Sequence, residues 1–199
     1  MAYPTVSGPY GLIPINLIGG QVFAGATRQI PIGSGETTAI YYGDVVNLTT
    51  DGTIRKMATT DSGAVVGVFL GCSFVDPTYG LTFRQYYPGA LTNSTITAYV
   101  QDDPDALFKV AVVSSGTTIS YMNRTSVGNN AVLVQNSGST ATGNSKVAVS
   151  STTATTSTWP IRVIDVVPET AFAGNPGSYT EVIVKWNQGM HQYLNPTGV

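Results

Sequence analysis

Short apolar runs separated by turn-forming residues are the feature that most constrains how this chain folds. From Thr37 onward, runs rich in Val, Ile, Thr and Tyr are bounded by Gly, Pro, Asn and Asp, which is typical of all-β proteins. No stretch shows apolar residues at the roughly 3.6-residue period of an amphipathic helix. The sequence therefore predicts an all-β fold of about a dozen strands, as a β-sandwich or jelly roll in preference to a closed barrel.

One β-hairpin is predicted within residues 43–57. The runs "DVVNL" and "TIRKM" flank Asp51-Gly52, a dipeptide that favours the type I′ turn of a tight hairpin. Gly52 would supply the positive φ that such a turn requires. We therefore interpret the segment as scaffold, with Val46 and Leu48 packed on one side.

The remaining predicted strands share β-branched or aromatic composition and flanking turn residues. They are "LIPINLI" (12–18), "TRQIPI" (27–32), "AVVGVFLGCSF" (64–74), "LTFRQYY" (81–87), "STITAYV" (94–100), "ALFKVAVV" (106–113), "AVLVQ" (131–135), "KVAVS" (146–150), "WPIRVIDVV" (159–167) and "YTEVIVKW" (179–186). Gly67 and Gly71 interrupt a long apolar run and predict a bulge or bend there.

The chain divides by composition into an extended N-terminal arm, residues 1–35, and a β-sandwich domain, residues 36–199. The arm carries no charge before Arg28 and is punctuated by Gly and Pro, so a regular helix is not expected. It would either fold back on its own domain or lie along a neighbour. Within the domain, the Ser/Thr-rich segment 114–158 fits either a flexible linker or extended surface β-structure.

Low charge limits the partners that the sequence favours. Only 10% of the residues are charged and the formal net charge is -2, so no nucleic acid or anionic membrane is expected as a partner. With 11 Tyr and 22 Gly, many surfaces must be neutral and polar. Such surfaces suit packing against other proteins, and a Ser/Thr-coated β protein of the secreted type is the equal alternative.

The cysteine count and the opening residues bear on the compartment. A single cysteine, Cys72, allows no intramolecular disulfide and is compatible with a reducing compartment. The opening "MAYPTVSGPYGLIPINLIGG" lacks a basic region and contains repeated prolines. We therefore expect neither a signal peptide nor a transmembrane helix.

Candidate metal ligands are few. The chain has one His and one Cys, which cannot supply a structural zinc site alone. Asp102, Asp103 and Asp105 form the one concentration of carboxylates, and Pro104 between them disrupts a calcium-loop pattern. Turn and cap chemistry explains these residues, so we expect no metal and no cofactor.

Catalytic constellations are also weak. His191 lies in a tail-like stretch, Cys72 lies in an apolar run, and no Gly-x-Ser-x-Gly elbow or phosphate-binding loop occurs. We therefore predict no catalytic residues and no enzymatic activity.

Aromatic residues offer a further candidate site. They could line a carbohydrate site, but packing in a core or an interface is the commoner role. The residues concerned are Tyr41, Tyr42, Tyr79, Tyr86, Tyr87, Tyr99, Trp159 and Trp186.

Two parts of the chain resemble a known family. "YYGDVVNLTTDGTIRKMATTDSGAVVGVFLGCSF" (41–74) places G-D-V-V, a turn, a second strand and V-G-V-F in an order that is similar to the β-module of capsid decoration, or cement, proteins of tailed bacteriophages, including cyanophages and related marine phages. The opening "YPTVSGPYGLIPINLIGG" and the close "HQYLNP" also look like small virion proteins of that group. The Ser/Thr-rich segment contributes nothing to the likeness.

This resemblance implies a structural function. Cement proteins are all-β, often trimeric and non-catalytic, and they bind the outer face of the expanded capsid. A protein that binds only the mature lattice stabilises it by mass action, and bridging of capsomers adds multivalency. The resemblance further implies assembly in the host bacterial cytoplasm, with residues 1–35 adding strands to a neighbour.

The predicted partners are the major capsid protein and further copies of this chain, with a homotrimer favoured. A carbohydrate- or receptor-binding β module of a phage tail or cell surface is the alternative, and a tail or adaptor component is a third. The predicted contact residues are Tyr10, Leu12, Ile13, Ile15, Leu17, Ile18, His191 and Tyr193.

Overall fold

Strands dominate the regular structure, which confirms the all-β prediction: the described residues are 44% strand and 2% helix. The computed structural model describes residues 5–58, 65–91, 95–170 and 178–198. Residues 1–4 of the predicted arm and the starts of two predicted strands, at 64 and 94, lie outside this description.

The strands are β1 (Ile13–Leu17), β2 (Arg28–Ile32), β3 (Val45–Leu48), β4 (Ile54–Lys56), β5 (Gly67–Asp76), β6 (Gly80–Arg84), β7 (Ile96–Gln101), β8 (Ala106–Val113), β9 (Asn130–Val134), β10 (Ala148–Ala154), β11 (Ile161–Val166) and β12 (Glu181–Trp186).

The first sheet closes on itself. In pairing order, β3 is followed by β4, β2, β7 and β5, and β5 pairs again with β3. We call these strands the first ring. Within the described residues, β6 pairs with the far end of β5 alone and so lies outside the ring.

The second sheet closes in the same way. β8 is followed by β12, β11, β9 and β10, and β10 pairs again with β8. We call these strands the second ring. β1 continues from the β10 side of β8, where it pairs with Ala106–Lys109. The fold is therefore two barrel-like sheets in sequence, whereas a closed barrel was the less favoured arrangement in the sequence analysis.

Each ring encloses an apolar core, because alternate residues of a strand point to the same face. The first core includes Ile30, Val46, Phe69, Ile96 and Ala98, all at most 6% exposed. The second contains side chains from every strand of the second ring. They include Phe108, Val110, Leu133, Val149, Val163, Val182, Val184 and Trp186, and Leu12, Val45, Met57, Val65 and Val68 join the same cluster.

The hairpin between β3 and β4 has a different turn from the predicted one. Gly52 has a φ of +71°, as predicted, but Asp51 is not among the described residues with positive φ. Gly52 N donates to Thr49 O at 3.0 Å, and Thr49 N donates to Thr53 O at 2.8 Å. This is a three-residue hairpin loop with glycine in the left-handed position, which is a common alternative to the type I′ turn.

The predicted bend in the long apolar run is present. The pairing of β5 with β7 shifts between Phe69 and Gly71, and Gly71 has a φ of +144°. Residues 65–66 lie outside β5, and Val65 instead forms an isolated bridge with His191.

Residues 5–35 contribute to both sheets of the same chain. β1 pairs with β8, and β2 lies between β4 and β7 in the first ring. Before β1, Tyr179 N donates to Val6 O at 3.2 Å. The sequence left open whether this segment folds back or reaches a neighbour; in this structure the strands of 13–32 pair within the chain.

Candidate docking surface

The turn between β7 and β8 anchors the candidate surface. Asp103 Oδ1 accepts a 2.8 Å hydrogen bond from Asp105 N, and Asp103 O accepts one from Ala106 N at 3.2 Å. Asp102 lies at the start of this turn, and its carboxylate binds residues of other elements. Asp103 therefore shapes the turn, as predicted for this group of aspartates, whereas the Asp102 and Asp105 carboxylates bind other elements.

Asp102 joins three separate parts of the chain. Tyr193 Oη donates a 2.9 Å hydrogen bond to Asp102 Oδ2, and Arg28 Nε donates to the same oxygen. The Arg28 guanidinium also lies over the Tyr193 ring, 5.4 Å from its centroid. The first residue of β2, the β7–β8 turn and the C-terminal segment are thus fixed against one another.

The ionisation of these groups follows from their contacts. Burial raises the pKa of the Tyr193 phenol to about 12, and the hydrogen bond to Asp102 adds to this shift. The pKa of Arg28 is raised by its hydrogen bond to Asp102 and by the charge of that carboxylate. At neutral pH Tyr193 is therefore a neutral hydrogen-bond donor, and Arg28 carries the positive charge opposite Asp102.

Exposed apolar side chains lie on the segments that contact this cluster or its turn. Ile18 is 51% exposed, Val22 76%, Tyr193 45% and Leu194 46%. Ile18 and Leu194 line one cleft, and Val22 lines a groove of about 550 Å³ with Arg28 and Asp102. We call these four exposed residues, together with Arg28 and Asp102, the Asp102 surface.

The loop that carries Ile18 and Val22 is uncharged from residue 18 to residue 27. Its start is held by backbone hydrogen bonds, because Ile18 N donates to Asp105 O at 2.9 Å and Leu17 N to Gln21 O at 2.8 Å. The loop therefore presents apolar side chains from a backbone that is anchored to the β7–β8 turn.

The C-terminal segment is anchored through His191. Val65 N donates to Met190 O at 2.8 Å, and Gln192 N donates to Val65 O at 2.7 Å. The His191 ring is fully buried and lies 6.3 Å from the Trp186 ring and 5.2 Å from the Tyr193 ring, centroid to centroid. Burial lowers its pKa, against opposing contributions from Asp102 and others, so the neutral imidazole is the stable form inside the protein.

The predicted contact residues have different environments. Ile18 and Tyr193 are exposed and lie on the Asp102 surface, although they are far apart in the sequence. Leu12 and His191 are both 0% exposed. They therefore pack inside the chain and cannot serve as the surface contact residues that were predicted. Leu12 joins the second core because β1 packs against β8.

The other predicted contact residues are half-buried on β1 or just before it. Ile13, Ile15 and Leu17 are of intermediate burial. Tyr10 Oη donates a 2.5 Å hydrogen bond to Glu181 Oε1, and burial is the main cause that raises the pKa of Tyr10. Tyr10 therefore ties the opening segment to β12.

Sequence reasoning missed Val22 and Leu194. Leu194 is within the quoted "HQYLNP", and Val22 is within an uncharged stretch, but neither position carries a pattern that distinguishes an exposed apolar residue from a buried one. The tertiary structure places Val22 in the groove with Arg28 and Asp102, and Leu194 in another cleft with Ile18.

Most of the aromatic residues considered for sugar binding are buried or half-buried. Tyr41, Tyr87 and Trp186 are at most 8% exposed, and the Tyr41 and Tyr86 rings stack at 5.6 Å. Of the eight aromatic residues considered, Tyr79 is exposed, at 80%. The Tyr-Tyr pairs therefore contribute to packing and do not form an open aromatic platform.

The carboxylates of Asp102, Asp103 and Asp105 each bind a different partner. Asp105 Oδ1 accepts a hydrogen bond from Lys185 Nζ at 2.5 Å. Among the described residues, no group of three His, Cys, Asp or Glu side chains could hold a metal ion. The helical content of the described chain includes nothing long and apolar enough to cross a membrane.

Comparisons with known proteins give no family assignment. No protein-family model matches this sequence, and neither the curated proteins nor the solved structures provide a match.

Proposed function

We propose that this chain is a structural virion protein that binds the outer surface of a phage capsid and stabilises the mature head by bridging capsomers. The resemblance of residues 41–74 to cement proteins is the reason for naming the capsid as partner. The observation that carries the docking part is the Asp102 surface, which combines an internally neutralised ion pair with four exposed apolar side chains on the segments beside it.

The Asp102 surface has properties that favour protein binding. The buried centre of a protein interface is more apolar than the rest of the surface and is enriched in aromatic residues and Arg. Arg28, Asp102 and Tyr193 already contact one another, so a partner does not have to supply a counter-charge for Asp102. Because the loop and the C-terminal segment are anchored, little ordering entropy is lost on binding.

The proposed mechanism is thermodynamic. A protein that binds the expanded lattice and not its precursor shifts the equilibrium toward the expanded form by mass action. Many copies on one shell, each bridging neighbouring capsomers, add weak contacts through multivalency. On this proposal the chain acts in the virion, after assembly in the host bacterial cytoplasm, with the major capsid protein as its partner.

Copy number is the first test. Purified particles are analysed by quantitative mass spectrometry against the major capsid protein. We expect a number of copies comparable to that of the shell protein. About a dozen copies would place the chain at the tail or portal, and absence from the particles would refute the virion proposal.

A binding test addresses the surface itself. Val22→Asp places a charge on the Asp102 surface at a position that is 76% exposed, and Ile119→Asp is the matched control, at 42% exposed elsewhere. With expanded capsids that lack this protein, we expect Val22→Asp to weaken binding about tenfold or more and Ile119→Asp to bind normally. Equal binding of wild type and Val22→Asp would show that docking uses another surface.

A further inference from the structure

The β5–β6 hairpin projects beyond the first ring. Its register pairs Cys72 with Arg84, Phe74 with Thr82 and Asp76 with Gly80. Its turn is held by Asp76, whose Oδ1 accepts hydrogen bonds from Thr78 N at 2.8 Å and Tyr79 N at 3.1 Å. The hairpin is therefore an ordered extension of the sheet with β6 at its outer edge.

One face of this hairpin is apolar and exposed. Val75 pairs with Leu81, and the two side chains are 56% and 65% exposed. Phe83 is 66% exposed and stacks on the Tyr99 ring at 6.5 Å. An isolated exposed apolar residue needs no explanation, but neighbouring ones on an edge hairpin indicate an interaction site.

The outer edge of β6 is open within the described part of the chain, where β5 is its single partner strand. Every second residue of such a strand directs its N–H and C=O groups away from its partner. Natural edges are commonly protected by charged side chains, Lys above all, by Pro or by a bulge; the one charged residue of β6 is Arg84, at its end. β6 reads "GLTFR", with no Lys or Pro, and its pairing with β5 has no bulge.

We propose that β6 pairs antiparallel with β6 of a second copy of this chain. The two copies are related by a two-fold axis that passes between their Thr82 residues. This register places Thr82 opposite Thr82, Leu81 opposite Phe83 and Gly80 opposite Arg84. Each Leu81–Phe83 pair joins apolar side chains across the axis, an arrangement that stabilises antiparallel strands. The sequence of β6 is therefore self-complementary, because it places apolar residues opposite each other when it pairs with its own copy.

Charge complementarity argues for a second copy as the occupant. Arg84 lies on the same face of the hairpin as Phe74, over whose ring its guanidinium sits at 5.5 Å. In the proposed register Arg84 faces Gly80 of the second copy, which has no side chain, and Asp76 of the second copy lies directly beyond it. Because Asp76 uses Oδ1 for its turn, its second carboxylate oxygen can accept from Arg84, once on each side of the axis.

This dimer goes beyond the proposed function and does not depend on it. An isologous pairing closes at two copies, whereas the resemblance to cement proteins implies a trimer. None of the residues that form the proposed interface belongs to the Asp102 surface. Val22→Asp should therefore leave the dimer intact, and a chain that never binds a capsid can still form it.

Cysteine cross-linking tests the register. Thr82→Cys places two sulfurs on directly opposed residues, whose Cα atoms lie about 4.5–5.5 Å apart, within disulfide range. Leu81→Cys is the matched control, because its two copies would lie about 8 Å apart, beyond disulfide range. The native Cys72 is 1% exposed. We expect a covalent dimer from Thr82→Cys and little from Leu81→Cys under mild oxidation; equal cross-linking, or the reverse order, overturns the register.

Sedimentation of the purified chain tests the dimer itself. We expect a monomer–dimer equilibrium for the wild type, lost in the double variant Leu81→Lys and Phe83→Lys and kept in Ile119→Lys. Arg84→Glu, which would repel Asp76 of the second copy, should raise the dissociation constant at least about tenfold, or about 1.4 kcal/mol. Unchanged circular dichroism confirms that each variant is folded. A wild type that stays monomeric up to about 100 μM, or that forms trimers, overturns the proposal.

Discussion

Ser145 Oγ donates a 2.6 Å hydrogen bond to Asp44 Oδ1, which joins residues 101 positions apart. The Asp44 side chain is completely buried, and its other oxygen lies 2.9 Å from Lys56 Nζ. Tyr41 N donates to that oxygen at 2.8 Å. The carboxylate is thus compensated by one cation and two further donors at the point where the first ring meets the segment before β10.

Removal of this carboxylate should be strongly destabilising. In Asp44→Ala the Lys56 ammonium, whose side chain is 11% exposed, loses its counter-charge inside the protein. We expect a loss of about 3–5 kcal/mol in the free energy of unfolding. Ser145→Ala, which removes one donor, should cost about 1–3 kcal/mol. Urea unfolding measures both.

The control for this comparison is Glu169→Ala, which removes an exposed carboxylate and should change stability by less than about 0.5 kcal/mol. If Asp44→Ala proved no more destabilising than Glu169→Ala, the buried ion pair would contribute nothing to the fold.

Gly67 is required for close packing between β5 and β7. A Cβ atom built on Gly67 would lie 2.1 Å from the carbonyl oxygen of Gln101, and this backbone cannot move without disturbing the ring. We expect Gly67→Ala to lower the free energy of unfolding by about 3 kcal/mol. Gly19→Ala, where no atom lies within 4 Å of the added carbon, should be nearly neutral. Thermal unfolding of the two variants checks the contrast, and equal melting temperatures would contradict it.

The strands were predictable because they follow from local patterns. Ile96, Ala98 and Val100 alternate with half-buried neighbours and are at most 1% exposed, as a period of two requires. Ring closure was not predictable, because it depends on pairings such as Val45 with Val68 that no local pattern encodes. The composition of a segment indicates that it will form a strand, but it does not identify the strand with which it pairs.

The candidate site was predictable only in part, for a similar reason. Ile18 and Tyr193 were identified because they lie in apolar or aromatic stretches near the ends of the sequence. The same reasoning selected Leu12 and His191, which are buried, since composition does not distinguish the two faces of a short segment. Asp102 was interpreted as a turn residue, and its contacts with Arg28 and Tyr193 required the tertiary structure.

Gly52 should resist replacement by a branched residue. Its φ of +71° lies in the left-handed region, which costs other L-residues roughly 1–2 kcal/mol. Gly52→Val should therefore lower the melting temperature, whereas Gly52→Asn should be tolerated better because Asn adopts this conformation more readily. Differential scanning calorimetry distinguishes them, and an unchanged melting temperature for Gly52→Val would show that the loop does not hold this conformation in solution.

His191 should make stability depend on pH below about 6.5. Because burial lowers its pKa in the folded state, the unfolded chain binds a proton first, near the ordinary histidine pKa of about 6.5. The stabilisation is therefore complete above about pH 6.5 and is lost as the pH falls toward the lower folded-state pKa. The contributions that oppose this shift are a hydrogen bond with the Val66 backbone, the charge and backbone of Asp102, and the charge of Asp103, all of which raise the pKa of His191.

The chain contains one histidine, so the measurement is direct. Urea midpoints at several pH values should decrease between pH 7 and pH 5 in the wild type. His191→Gln cannot titrate in this range and should show a flatter profile, although its stability at pH 7 is lower. Ordinary Asp and Glu groups titrate near pH 4, outside the window. An equal slope in both proteins would mean that another group is responsible and that His191 has a normal pKa in the folded state.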